Sequence, residues 1–162
     1  MRRDRIRLWQ ARTCYCLVLD TRQQKIFLLV GPKRAGKGTI AAILTQFIGK
    51  RNVCSPSLNS LGSDFSLQPL IGKQLAIISD MRIGYKTDMA AVAEDLLRIS
   101  GEDGVTVDRK FKSHWTGRLP VRFFIVSNEI PKLPDGSAVL AKSWSRLFGQ
   151  FFRFDEWSAC RG

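Results

Sequence analysis

Three short, nearly unbroken apolar runs lie within residues 25–30, 75–80 and 121–128, and the chain between them shows apolar residues recurring every three or four positions. A continuous apolar run bounded by polar residues predicts a strand buried on both faces of a parallel sheet, because a strand with one wet face would alternate. Ile40, Ile43, Leu44, Phe47 and Ile48 predict a helix with one face on that sheet. Met89, Val92, Ala93, Leu96 and Ile99 predict a second helix, with Thr87 or Asp88 as its cap and Gly101 as its stop. After the acidic turn Gly101-Glu102-Asp103-Gly104, the alternating Val105-Thr106-Val107 leads into a hairpin-like segment, Asp108 to Trp115. Residues 51–68, rich in Ser, Asn and Gly, predict a loop with little fixed structure. The fold class is α/β with a mostly parallel central sheet.

The first apolar run is followed by Gly31, Pro32, Lys33, Arg34, Ala35, Gly36, Lys37, Gly38 and Thr39, and then by the first helix. A glycine-bracketed, lysine-bearing loop between a strand and a helix predicts a phosphate cradle. Gly31 and Gly36 permit torsions closed to other residues, so backbone N–H groups turn inward on phosphate oxygens at a helix N-terminus. Lys37 is the cation for the terminal phosphates. The hydroxyl that would ligate magnesium comes at Thr39, one place later than in the G-x-x-x-x-G-K-[ST] pattern. Adenylate-kinase-like enzymes share Gly-Lys-Gly-Thr, so the loop by itself does not separate a helicase motor from a small-molecule kinase.

Two other strand ends have the right chemistry. Asp80 closes the second apolar run, where a carboxylate meets the metal ion and water near a terminal phosphate, and it is therefore a candidate catalytic residue and metal ligand. Asn128 closes the third, where an amide can hydrogen-bond the attacking water or the phosphate. In the hairpin-like segment, Arg109, Lys110, Lys112 and His114 interleave with Phe111 and Trp115, which predicts a backbone held by charge beside rings that offer stacking surface.

Composition strengthens one side of this picture. Among 162 residues, 26 Lys and Arg against 14 Asp and Glu leave a net charge of +12, which attracts polyanions. Cys14, Cys16, Cys54 and Cys160 have no paired C-x-x-C spacing, and His114 is the single histidine, so a zinc or haem site is not expected and reduced, cytoplasmic cysteines are. The basic N-terminal residues are followed by no apolar stretch of signal or membrane-spanning length.

The order of loop, strand-end acid, basic hairpin and polar strand end resembles the superfamily 3 helicases, AAA+ motors of viral and phage replication, and among them the helicase domain of phage-associated primase-helicases of the primase-polymerase type. The residues that carry the resemblance are Gly31 to Thr39, Ile77 to Asp80, Ile99 to Asp103 through Val107 to Lys112, and Phe124 to Pro131. It implies a P-loop NTPase, AAA+-like three-layer sandwich, with ATP and Mg2+ as cofactors. Lys37 would contact the terminal phosphates, Asp80 would stand in the acidic motif, Lys110 in the hairpin that moves single-stranded DNA, and Asn128 as the sensor. The partners it implies are single-stranded DNA, further copies of the chain in a ring of hexameric kind, and a primase module on another segment.

The resemblance also divides the chain into a basic segment (1–20), an ATPase core (21–141) and a divergent tail (142–162). Relatives have an arginine about where Ser143 stands, which predicts slow ATP turnover. Their strand and lid are replaced by Trp144 to Phe154, which suggests a truncated chain. Three functions stay open: a DNA helicase or translocase, a nucleotide-type kinase, and an inactive nucleotide- or DNA-binding remnant.

Overall fold

The computed structural model describes residues 21–22, 24–61, 67–79, 88–128 and 152–153. In chain order its elements are β1 (Phe27–Val30), α1 (Lys37–Ile48), β2 (Val53–Cys54), β3 (Leu75–Ser79), α2 (Met89–Ser100), β4 (Gly104–Arg109), β5 (Lys112–Arg118), β6 (Arg122–Ser127) and β7 (Phe152–Arg153). Five strands form one sheet in the order β2-β3-β6-β1-β7, and every pairing in it is parallel. β4 and β5 form a separate antiparallel hairpin.

The unbroken apolar runs are explained by burial on both faces. In β1, β3 and β6 successive side chains point to opposite sides of the sheet. Leu28, Val30, Ala76, Ile78, Phe123 and Ile125 meet Val92, Leu96 and Ile99 of α2 and Val105 and Val107 of β4. Leu29, Leu75, Ile77, Phe124 and Val126 meet Ala41 and Leu44 of α1 on the other side. The result is three layers: α1, the sheet, then α2 with the hairpin. This mixed α/β arrangement with a mostly parallel central sheet is consistent with a P-loop NTPase, AAA+-like sandwich.

Several local expectations are corrected. The α1 face against the sheet consists of Lys37, Ala41 and Leu44, with Ile40 and Ile48 at its margins, while Ile43 and Phe47 are 46% and 71% exposed. The helix is rotated so that Lys37 turns inward, and residues 43 and 47 then fall outside the buried face, roughly 130° and 90° round the helix from its centre at about 100° per residue. Residues 51–61 and 67–68 are more ordered than their composition suggests. They supply β2, two short 3₁₀ turns at Leu58–Ser60 and Gln68–Leu70, and the buried Leu58, Leu61 and Leu67.

Asp88 is the cap of α2, its carboxylate accepting from the N–H groups of Ala90 (3.0 Å) and Ala91 (3.2 Å). At the other end Gly101 stays right-handed (φ −74°), and Glu102 takes the left-handed position (φ 64°). The N–H of Asp103 then donates to Arg98 O and that of Glu102 to Ile99 O, which is a Schellman closure without glycine at its bend. The tail, read as divergent, delivers β7: Phe152 and Arg153 pair with Leu29 and Val30 and cover the open edge of β1. Cys54 is a free, half-buried thiol whose Sγ lies 3.7 Å from Leu75 O. Burial pushes it up to about 11, against the opposing pull of Lys73, so it is protonated at neutral pH.

Trp115 belongs to this core as well. It is partly buried against the α2 side of the sheet and lies over Gly117, where a Cβ would stand 2.8 Å from its Cζ2 atom. The stacking role expected of Trp115 gives way to packing, because β-strand alternation puts it on the same inward face as Val105 and Val107. Gly117→Val is therefore expected to force the indole off its seat and to destabilise the protein by about 1–3 kcal/mol, read as a lowered urea midpoint. An unchanged midpoint would show that the ring is free to move.

Candidate nucleotide site and hairpin

The loop after β1 is anchored to the neighbouring strand. Val30 pairs with Ser127, and the N–H of Gly31 donates to Ser127 O at 3.2 Å. A turn closes where the N–H of Ala35 donates to Pro32 O (3.3 Å). The left-handed torsions fall on Arg34 (φ 62°) and Gly36 (φ 82°), and Gly31, expected to share this role, does not need one. Gly31 instead supplies a buried backbone position whose carbonyl faces Lys37.

Gly36 is the N-cap of α1. No side chain caps this end and no acidic residue occupies the first turn. The N–H of Ile40 is taken by Gly36 O (3.2 Å), whereas helix geometry gives those of Lys37, Gly38 and Thr39 no acceptor within the helix. A Cβ added at Gly36 or Gly38 would meet nothing within 4 Å, so this positive helix end opens on free space. N–H groups that point out of the first turn and the helix dipole together favour an anion there.

Lys37 has its ammonium at the inner edge of this opening. It is 7% exposed, and Nζ donates to Gly31 O (2.7 Å), Pro32 O (2.7 Å) and Asn128 Oδ1 (3.1 Å). Three N–H bonds thus meet three acceptors, two from the loop and one from the residue just past β6. The two sequence-predicted residues, 91 positions apart, are in direct contact because β1 and β6 are adjacent and in register. Lys33, Arg34 and Thr39 are exposed around the same loop. β3 ends at Ser79, paired with Val126, and Asp80 itself lies outside the described residues, as does Ser143. Among the described residues no group of three or more His, Cys, Asp or Glu is arranged to hold a metal ion. The donor set fits a polyphosphate, with Thr39 as the oxygen nearest in sequence to Lys37 that a hard cation could use.

The hairpin is a second, separate feature. Its strand β5 leads through Leu119 and Val121 into the start of β6, and Asn128 lies at the far end of that strand, about 20 Å away at strand rise. Lys110 and Phe111 form the two-residue tip between Arg109 and Lys112, which pair with each other. Lys110 and Lys112 are exposed. Arg109 is committed to the hairpin itself, Nε donating to Ser113 O (2.9 Å), and His114 Nδ1 sits 2.5 Å from Asp108 Oδ1. Sequence reasoning counted Phe111 only among the rings of the segment, not as a site residue, and it missed Gln68 altogether. Phe111 is 95% exposed at φ 61°, and Gln68 accepts the backbone N–H of Lys110 through Oε1 at 3.1 Å. The lysine–aromatic–lysine order of the tip was a signal for the first; nothing local marks the second.

Among the described residues no helix is long and apolar enough to cross a membrane. A model described as a family of unknown function, DUF5906, matches residues 29–143. Among solved structures, the chain is similar to the JCV helicase, solved with a substituted acetamide bound, at 20% identity and a TM-score of 0.59 over 88% of this chain and 39% of that one. It is similar to the apo NrS-1 C-terminal region (305–718) at 18% identity and 0.57, over 80% and 29%, and to an A-form apo structure of the NrS-1 C-terminal region at 21% and 0.55, over 68% and 26%. At these identities the likeness is one of fold, and the chain spans between about a quarter and two-fifths of the length of these three structures.

Proposed function

The chain belongs to the DUF5906 family, and from that premise we propose that it is an ATP-dependent motor domain of helicase type, acting on single-stranded DNA in a replication protein. The observation that carries this reading is the contact of Lys37 Nζ with both loop carbonyls and Asn128 at the uncapped start of α1. A kinase and a motor both need the loop, but a motor also needs a route from phosphate to DNA. β6 supports such a route, with the hairpin rooted at its start and Asn128 at its end. The fold shared with the JCV helicase and NrS-1 is in keeping with it.

In this reading Gly31 to Gly38 cradle the phosphates, Lys37 neutralises the terminal one, and Asn128 senses whether it is attached. Thr39 and Asp80 would hold Mg2+ beside the ATP phosphates, where it would supply neutralisation of their charge as the phosphoryl bond is cleaved. Lys110 and Lys112 hold the DNA backbone, while Arg109 keeps the hairpin in shape and His114 adds to its face. Copies of the chain assemble as a ring, with a primase on another segment.

ATP turnover of the purified chain, with and without single-stranded DNA and alongside its mass in solution, tests this. The expected result is turnover that rises on adding DNA, from a species heavier than one chain. Phosphate transfer to AMP would instead favour the kinase suggested by Gly-Lys-Gly-Thr, and binding of nucleotide with no turnover would mark an inactive remnant.

A further inference from the structure

We infer that Phe111 is a stacking platform for one nucleobase of the bound strand, which makes the hairpin tip a mixed base-and-phosphate site. This rests on the reading of the hairpin as the DNA element and goes beyond it, since charge alone would suffice to hold a backbone.

The backbone at the tip argues for a small residue. At φ 61° a glycine is at ease, whereas a bulky side chain crowds the following carbonyl, yet a phenyl ring stands there. Packing does not account for it, because the ring is 95% exposed and Trp115, the other aromatic of the hairpin, is the one turned to the core. An aromatic ring held in solvent on a strained backbone has a cost that folding does not recover, and such sites gather where a ligand is met.

The surroundings choose the ligand. Lys110 Nζ lies 5.5 Å from the ring centroid, so one face holds a cation and the opposite face is left for a flat partner. Lys110 and Lys112 flank the ring in sequence and are exposed, spaced to meet phosphates on either side of a stacked base. The tip is also held in place: Gln68 Oε1 fixes the Lys110 N–H, and Arg109 ties across to Ser113. A pre-positioned ring loses little freedom when a base arrives. Every base offers a π-face, so the contact is tolerant of sequence.

The test uses the full chain with oligo-dT and with an abasic strand of equal length, at several salt concentrations. Phe111→Ala is expected to weaken oligo-dT binding by about 5- to 150-fold without changing the salt slope. Phe111→Trp should bind as the parent does. Lys110→Ala should instead flatten the salt slope by about 0.7. On the abasic strand the parent should fall to the level of Phe111→Ala. Phe111→Gly should lose affinity while its Tm rises by about 2–4 °C, which separates the ring's role in binding from any role in folding. The inference is overturned if Phe111→Ala binds oligo-dT within twofold of the parent, if the abasic strand binds the parent as well as oligo-dT does, or if Phe111→Trp fails as badly as the alanine. Failure of the parent itself to bind either strand would remove the DNA reading of the hairpin along with it.

Discussion

Lys37→Ala is expected to reduce ATP turnover by at least 10²- to 10³-fold, the scale seen when one pre-positioned donor is taken from a site of developing charge. The reason is geometric as much as electrostatic. Nζ is already held by Gly31 O, Pro32 O and Asn128 Oδ1 at the inner edge of the opening, so a bound phosphate meets a cation in place and takes the donor now given to Asn128. Lys37→Arg should fail almost as completely, because a planar fork cannot direct its donors to two loop carbonyls and a phosphate from the same buried position. Folding is expected to change little, since the charge lost from a mostly buried place offsets the hydrogen bonds lost with it. Phosphate release and calorimetric ATP binding are the measurements, with circular dichroism to verify the fold. Turnover within threefold of the parent would remove Lys37 from the site, and the nucleotide reading with it.

Phe123→Ala is the substitution expected to cost most stability. Phe123 is fully buried on β6, the strand at the centre of the five, on the face covered by α2 and the hairpin. Truncating a buried phenylalanine costs about 3–5 kcal/mol, a large share of the 5–15 kcal/mol that holds a typical domain together. With a urea dependence of about 2 kcal/mol/M, the midpoint should fall by about 2 M. The neighbouring Phe124 points to the opposite face, against α1, and its loss should be felt on that side of the sheet. A shift below about 0.5 M for Phe123→Ala would mean that the core closes over the gap and that β6 is less central than its position implies.

Much of this architecture was readable from the chain. The apolar runs around residues 27–30, 75–79 and 122–127 became the three inner strands because a strand covered on both faces has no polar alternative. Val92, Ala93, Leu96 and Ile99 all proved buried, since four apolar residues at helical spacing leave one way to face a sheet. The α1 stripe was harder. Ile40, Ile43, Leu44, Phe47 and Ile48 span more of the helix surface than one sheet face can cover, and the inward turn of Lys37 decided which part was buried. The 51–68 region misled because its small polar residues hide three leucines spaced too irregularly for any period.

What sequence alone determined was the chemistry available: a glycine-bracketed lysine between strand and helix, an amide at the end of another strand, and cations around an aromatic turn, each written in contiguous residues. Tertiary structure decided which of these meet. Lys37 reaches Asn128 only because the sheet sets β6 beside β1, a parallel pairing between segments nearly a hundred residues apart that no local pattern encodes. The same holds for the hairpin, where strand alternation against a core formed by other elements turns Trp115 inward, and a two-residue turn leaves Phe111 outside. Local pattern is set by short-range sterics and periodicity, whereas the choice among chemically equal side chains is made by whichever surface the rest of the chain brings against them.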